Sequence, residues 1–298
     1  MIIRESEEDI MIKLIATDMD GTLLNREHKV SLQNAKAIHS AQKNGIEVIV
    51  ATGRSYEEAI IPLREAEINC LLICVNGAET WDNSGQLQAT NPLNVEDVHW
   101  AMQKLREHSI YFELYSSKGT YSDNKKLALD VIVDLLETTG ALTTHQEMKK
   151  LAQRRVSNGS IQFVEHYEQL LEQSSDPVLK LLAFSTNLKV LDQVEEELGE
   201  HKSLSVTASA RGNLEINSIY AQKGLAVQAY AQKLGIGLDT VMALGDNMND
   251  LSMMKLVGYP VAMENAAYEV KELCKYETLH HDKNGVAEAI YTYTHVNK

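Results

Sequence analysis

Prolines number four, cysteines three and tryptophans two in this chain of 298 residues. So few prolines mark no clear linker, and no internal repeat is present. Cys70 and Cys74 stand four apart in an apolar run that reads as a strand, which separates them by roughly 13 Å, beyond disulfide reach. Cys274 is left over, and no Cys-x-x-Cys pair occurs, so reduced buried thiols are expected rather than a disulfide framework or a zinc site. Basic charge is also short: 28 lysines and arginines face 42 aspartates and glutamates, a formal net charge of −14. A protein that neutralises nucleic-acid phosphates needs a basic face, and the pair Arg154-Arg155 in an acidic chain does not make one. No apolar run approaches the roughly 18 residues that span a bilayer, and the acidic start with Glu5, Glu7, Glu8 and Asp9 has no secretory core. A cytoplasmic protein without nucleic-acid or membrane partners is expected, and no obligate protein partner is predicted.

What is there is ordinary globular material, 44% hydrophobic and 23% charged, long enough for about two domains. Lys13–Thr17 and Glu47–Ala51 are short apolar runs that stop at Asp18 and Thr52. Between them Ser31 can cap a helix with Ala35, Ile38 and Ala41 at helical spacing, which Gly45 can close. Strand, helix, strand implies a parallel pair. Cys70–Val75, Thr240–Leu244 and Val261–Met263 repeat the pattern, ending at Asn76, Gly245-Asp246 and Glu264-Asn265. Ligands bind at the carboxyl edge of an open parallel sheet, so Asp18, Thr52, Asn76, Asp246 and Asn265 are expected to converge there.

From about Gly85 to Asn217 the pattern changes to strand-like Tyr111–Tyr115 and Leu179–Phe184 among helical stretches, and Leu204–Thr207 and Asn213–Asn217 read as a hairpin turning at Gly212. The pattern is therefore a parallel-sheet core with an inserted α+β domain. The expected boundaries are core over 1–85, insertion over 86–217 and core again over 218–298.

The chemistry gathers at the strand ends. Asp18-Met19-Asp20-Gly21-Thr22 puts two carboxylates two residues apart beside a glycine that permits a tight turn. An aspartate nucleophile suits phosphoryl transfer because its anion needs no prior deprotonation, provided a cation screens it from the phosphate. Gly245-Asp246-Asn247-Met248-Asn249-Asp250 packs hard oxygen donors of the kind Mg2+ prefers into one turn. Thr52-Gly53-Arg54 offers a hydroxyl and bare amides to an anion, and Lys223-Gly224 offers a point charge at the start of a helix with Leu225, Val227 and Ala229 as apolar positions. Each has a bland reading alone: strands end in turn residues, carboxylates cap helices and lysines sit in solvent. Their combination is what points to catalysis.

Together with Asn76-Gly77-Ala78, Asn265-Ala266-Ala267 and Asn284-Gly285-Val286, these motifs resemble, in order and from Lys13 to Ile290, those of the haloacid dehalogenase-like phosphatases, specifically the Cof-type branch. The resemblance implies a magnesium-dependent phosphatase acting on phosphate monoesters of small metabolites, either sugar phosphates or a phosphorylated ribityl intermediate of flavin synthesis. It implies Asp18 as nucleophile through an aspartyl-phosphate and Asp20 as the acid and base. Met19, Thr52, Gly53, Lys223 and Asn249 would hold the phosphate. Mg2+ would sit on Asp18, Asp20 and Asp246, with Asp250 in support. The fold that the resemblance implies is α/β, a Rossmann-like parallel-sheet core with a large inserted α/β cap domain that selects the leaving group. The chain departs from the family where a proline and glycine often precede the lysine: it reads Asn217-Ser218-Ile219-Tyr220-Ala221-Gln222. Met1 to Ile10 also precede the usual start, so either they form a short acidic tail or Met11 is the effective beginning.

Other features are set aside. His280-His281-Asp282 lies in an expected loop, where adjacent histidines of an extended chain point to opposite sides. Met248, Met253 and Met254 read as core filler, and Glu195-Glu196-Glu197 as a solvated helix face. Glu113, Tyr115, Tyr121 and Lys180 are candidates to face substrate, although most such residues are packing or surface. The alternatives are a sugar-phosphate mutase, which would return phosphate to a bound intermediate faster than water attacks, and a non-hydrolytic phospho-ligand-binding or signalling protein. Bacterial receiver domains, the nearest of the latter kind, lack a second acid at the position of Asp20.

Overall fold

The computed structural model describes residues 11–128, 161–173, 175–294 and 296–297. The chain forms two compact units, Met1–Ala89 with Lys223–Lys298, and Thr90–Gln222. Met1 to Ile10 and the Arg154-Arg155 pair lie outside the described residues.

The first unit begins with β1 (Leu14–Thr17), α1 (Leu32–Lys43), β2 (Glu47–Ala51), α2 (Tyr56–Glu65), β3 (Leu71–Cys74), β4 (Glu79–Trp81) and β5 (Leu87–Thr90). The second unit contains α3 (Val95–Glu107), β6 (Tyr111–Ser116), β7 (Gly119–Ser122), β8 (Gln162–Phe163), α4 (Tyr167–Gln173), β9 (Val178–Phe184), α5 (Leu188–Gly199), β10 (Leu204–Thr207) and β11 (Asn213–Ser218). The chain then completes the first unit with α6 (Lys223–Leu234), β12 (Val241–Gly245), α7 (Leu251–Met254), β13 (Tyr259–Ala262), α8 (Tyr268–Leu273), β14 (Tyr276–Glu277) and α9 (Gly285–Tyr293).

The first sheet runs β14-β13-β12-β1-β2-β3-β4-β5. It is parallel from β14 to β3, and β4 joins β3 antiparallel. Every residue of β1 is buried, as expected of a central parallel strand covered on both faces. In α1, Ser31 accepts from the Asn34 amide at 3.1 Å, and Ala35, Ile38 and Ala41 turn inward. Complete burial of Ile38 contributes about 1.5–3 kcal/mol relative to exposure. Cys70 and Cys74 are buried free thiols and Cys274 is half-buried. Burial pushes the Cys70 thiol up to about 12, so it stays protonated and inert.

The units divide a few residues later than the expected 85 and 217. Leu87–Thr90 is an edge strand with all four residues exposed, so no apolar alternation betrays that it continues the first sheet. The inward face of α6 also differs from expectation: Leu225 and Ala229 are exposed, whereas Gly224, Val227 and Ala231 are buried. The helix is apolar almost all round, so periodicity does not set its phase. Contact with α7 does: a Cβ on Gly224 would lie 2.1 Å from the Ser252 carbonyl oxygen, and only glycine permits that approach.

The second unit has a sheet in the order β10-β11-β9-β6-β7-β8. Alternate residues Phe112, Leu114, Leu181, Ala183, Leu214 and Ile216 form one core with α3, α5 and Tyr167. The intervening positions carry Glu113, Lys180 and Glu215, all nearly inaccessible. Lys180 Nζ donates to Glu215 at 2.8 Å and stands 4.7 Å above the Tyr115 ring. The Tyr111 hydroxyl lies 3.0 Å from the Ser122 hydroxyl and 3.3 Å from the Glu113 carboxylate, within hydrogen-bond reach of both. Glu113, Tyr115 and Lys180 thus belong to a buried polar network, and Tyr121 to the apolar core. Glu197 is not simply solvated: it accepts from Gln193 and contacts His108 at 3.2 Å. Among the described residues no helix is long and apolar enough to cross a membrane.

Candidate active site

The first unit alone supplies the whole constellation. The Asp18 amide donates to the Leu244 carbonyl at 2.9 Å, tying the end of β1 to β12. Beyond it Met19–Leu23 makes a single wide turn, closed by the Leu24 amide on the Met19 carbonyl at 2.8 Å. Gly21 carries φ +77°, and a Cβ there would lie 2.4 Å from Asp246 Oδ2. Glycine at that position therefore lets the turn close against the β12 loop. Met19 itself is buried in the turn.

Lys223, the first residue of α6, is fully buried and its Nζ donates to Asp18 Oδ1 at 2.6 Å and to Asp250 Oδ1 at 2.7 Å. The other oxygen of Asp250 accepts from the amides of Asp246 and Asn247, at 2.9 and 3.0 Å. Asp246 accepts from the Thr22 hydroxyl at 2.9 Å and from the Asn265 carboxamide at 3.4 Å. Oxygens of Asp18, Asp246 and Asp250 lie within 4.8 Å of one another.

Fully ionised, the three carboxylates and one ammonium carry two net negative charges, the complement of one divalent cation. The donor set is hard oxygen, which suits Mg2+. Both Asp250 oxygens are already committed to Lys223 and two amides, so Asp250 serves better as support than as a ligand. Burial raises the Asp18 carboxyl well above its ordinary range, with Lys223 opposing and Asp250 and Asp246 adding to the rise. Burial, helped by the charge of Asp250, pushes Asp246 up to about 7. Burial alone would lower Lys223, but Asp18 and Asp250 outweigh it and hold the ammonium above its ordinary value.

Asp20 faces a different environment, with its side chain 48% exposed. Arg54 Nε and Nη2 donate to its two oxygens at 2.7 and 2.6 Å, and His28 Nδ1 stands 3.6 Å away. Burial pushes this carboxyl up, but the contacts of His28 and Arg54 outweigh it and bring it to about 2. Thr52 follows β2, its hydroxyl accepting from the Arg54 amide at 3.2 Å and its carbonyl from the Asn76 amide at 2.9 Å. The carboxamide of Asn76 accepts in turn from Asn249 at 3.3 Å. At the end of β3, Val75 and Asn76 both have positive φ, 48° and 58°. A β-branched residue there carries strain of about 1–3 kcal/mol, held by the surrounding packing.

Asp18, Asp246, Asp250 and Lys223 are thus in direct or shared contact, Thr52, Asn76 and Asn249 form a second chain, and Gly53 lies between Thr52 and Arg54. Sequence reasoning gave Arg54 no role toward Asp20 and did not single out His28. Arg54 follows directly on Thr52-Gly53, which is a usable signal. His28 has none, because its position depends on a turn closed by the bridge between Leu24 and Val30.

The expectation for His280 and His281 needs correction. Their rings lie 4.5 Å apart, tilted by 30°, and do not point to opposite sides, because the segment is a short 3-10 turn. Their atoms and those of Asp282 could be spanned by an ion, but the protein uses them. His281 Nδ1 bonds the Leu24 carbonyl at 2.8 Å, His280 Nδ1 accepts from the Asp282 amide at 3.1 Å, and Asp282 is clasped by Arg26. Met253 and Met254 are buried in the core, and Met248 is half-buried.

Residues 15–290 match the model of a family described as haloacid dehalogenase-like hydrolase. The chain is 32% identical over 279 residues to the phosphatase YwpJ of Bacillus subtilis, covering 93% of this chain and 98% of that protein. It is also 32% identical over 277 residues to the 5-amino-6-(5-phospho-D-ribitylamino)uracil phosphatase YwtE of Bacillus subtilis, covering 93% and 96%. A solved haloacid dehalogenase-like hydrolase from Bacillus subtilis superposes with a TM-score of 0.84 at 31% identity, over 94% of this chain and 99% of that one. The chain therefore belongs to the haloacid dehalogenase-like hydrolases, among their Cof-type phosphatases.

Proposed function

We propose that the protein is a magnesium-dependent phosphatase that hydrolyses phosphate monoesters of small metabolites through an aspartyl-phosphate on Asp18. The observation that carries this reading is the buried ammonium of Lys223, 2.6 Å from Asp18 Oδ1, next to a second acid, Asp20, two residues along the chain. Lys223 orients the Asp18 carboxylate and supplies positive charge where a transferring phosphoryl group needs it. Asp18 attacks phosphorus, an Oδ–P bond forms, the ester P–O bond breaks, and a proton from Asp20 goes to the leaving oxygen. Asp20 then takes a proton from water as that water attacks phosphorus and breaks the Asp18–phosphate bond.

The Thr52 hydroxyl, the Gly53 and Met19 amides, Asn249 and Lys223 hold the phosphoryl oxygens. Asp18, the Asp20 carbonyl and Asp246 would hold Mg2+, which when bound neutralises phosphoryl charge and fixes its orientation. Asp250 keeps Lys223 and the Asp246 loop in place. Arg54 imposes a further requirement: its Nε and Nη2 occupy both oxygens of Asp20, so the fork has to leave that carboxyl before Asp20 can carry a proton to the leaving group.

The unit Thr90–Gln222 serves as the cap that selects the leaving group. The proposed substrates are sugar phosphates or a phosphorylated ribityl intermediate of flavin synthesis, the latter supported by the activity for which YwtE is named. The proposed setting is the cytoplasm, with a small phosphorylated metabolite as the partner. Phosphate release from sugar phosphates, nucleotides, flavin mononucleotide and the ribitylamino-uracil phosphate, with Mg2+ and with EDTA, tests this reading. Magnesium-dependent release is expected, and release indifferent to chelation would overturn it.

A further inference from the structure

The loop after β13 reaches back into the constellation through one side chain. Asn265 Nδ2 donates to the Gly21 carbonyl at 2.8 Å and to Asp246 Oδ2 at 3.4 Å, while its Oδ1 accepts from the His281 amide at 3.0 Å. The same loop holds Asp246 by its backbone, the Ala267 amide donating to the Asp246 carbonyl at 2.8 Å. Asn265 therefore touches both pieces of chain that would hold the ion: the turn carrying Asp18 and Asp20, and the loop carrying Asp246. Its own orientation is fixed from behind by His281, whose ring is tied to Leu24 at the end of that turn. With Thr22 on the other oxygen of Asp246, the two donors leave that carboxylate little freedom to rotate.

We propose that Asn265 is a positioning residue for Mg2+: its carboxamide locks the Asp246 carboxylate and the Gly21 peptide in one relative orientation, so that the ligand oxygens are arranged before the ion arrives. The proposal rests on the reading of Asp18, Asp20 and Asp246 as the metal site. Partners behind a ligating carboxylate fix its direction and basicity, and removing one weakens metal binding by about 10- to 100-fold.

The test is calorimetric titration of Mg2+ into the full chain without substrate, for wild type and Asn265→Ala, together with the thermal midpoint of each in EDTA. The proposal predicts that Asn265→Ala binds Mg2+ about 10- to 100-fold more weakly than wild type while the metal-free midpoint moves little. A residue serving only the fold would give the reverse, a lowered metal-free midpoint with the Mg2+ dissociation constant unchanged, and that result overturns the proposal. Should Asn265→Ala fail to fold, Asn265→Leu keeps the volume without the donor and is held to the same prediction. Wild type that binds no Mg2+ would instead overturn the metal-site reading itself, an outcome distinct from equal binding by the two proteins.

Discussion

Lys223 Nζ lies 2.6 Å from Asp18 Oδ1, and the lysine side chain has no solvent exposure at all. A lysine is rarely buried unless paired, and here it is paired twice, with Asp250 at 2.7 Å completing the arrangement. Lys223→Met would leave two carboxylates buried without a cation. The expected destabilisation in metal-free protein is about 3–5 kcal/mol, because breaking a buried pair from one side strands the other charge. Urea unfolding in EDTA measures it, and a change within about 0.5 kcal/mol would mean that the ion pair is not what holds these carboxylates.

Asp20→Asn removes the proposed acid and base while keeping the shape of the side chain. Turnover should fall by about 10²- to 10⁴-fold, with phosphorylated protein accumulating because water attack is no longer assisted. Rapid-quench measurement of protein-bound phosphate checks both parts. Normal turnover in this variant would remove Asp20 from the role.

Arg54→Met should let the Asp20 carboxyl rise from about 2 toward its ordinary value of 3.8. A depressed carboxyl contributes stability that is present above its unfolded pKa and lost as pH falls through about 2, so the variant should be less stable at pH 7 and converge with wild type only below about pH 2. With Asp20 48% exposed, solvent screening keeps the loss below about 1 kcal/mol. Carbon-detected NMR titration of labelled aspartate reads the pKa directly; an unchanged value would deny the contact its electrostatic effect.

In the same direction as Asp18, whose carboxyl burial also raises, Asp246 contributes to the pH dependence of the metal-free protein. Its folded pKa, about 7, lies above the unfolded one, so the folded chain binds more protons across that interval. Stability in EDTA should therefore decline as pH rises from about 4 to about 7. A cation competes with these protons, so Mg2+ binding should release at least one proton at pH 6 and weaken by about tenfold or more per unit below pH 7. Calorimetry in buffers of different ionisation enthalpy reports the proton count, and binding without proton release at pH 6 would contradict the assignment.

Much of this site is legible in the sequence because its residues occupy strand ends. Asp18, Thr52, Asn76 and Asp246 each follow a buried apolar run, and a parallel sheet brings such ends to one edge whatever the intervening loops do. Lys223 is less legible, since a lysine opening a helix ordinarily faces solvent; only the company of the other motifs marks it. The phase of α6 and the edge strand Leu87–Thr90 escape local reading. Each is set by a contact outside the segment itself: Gly224 against Ser252, and the pairing of β5 with β4. The arginine fork on Asp20 spans 34 residues of sequence and is a product of the fold.

The central claim is that Asp18 carries the phosphoryl group. Rapid acid quench of wild type during turnover in Mg2+, followed by peptide mapping, should find phosphate on Asp18. The Asp18→Asn variant should carry no phosphate on the same peptide and should release none from any substrate that wild type uses. Undiminished phosphate release by Asp18→Asn, or phosphate mapped to another residue, would contradict the account.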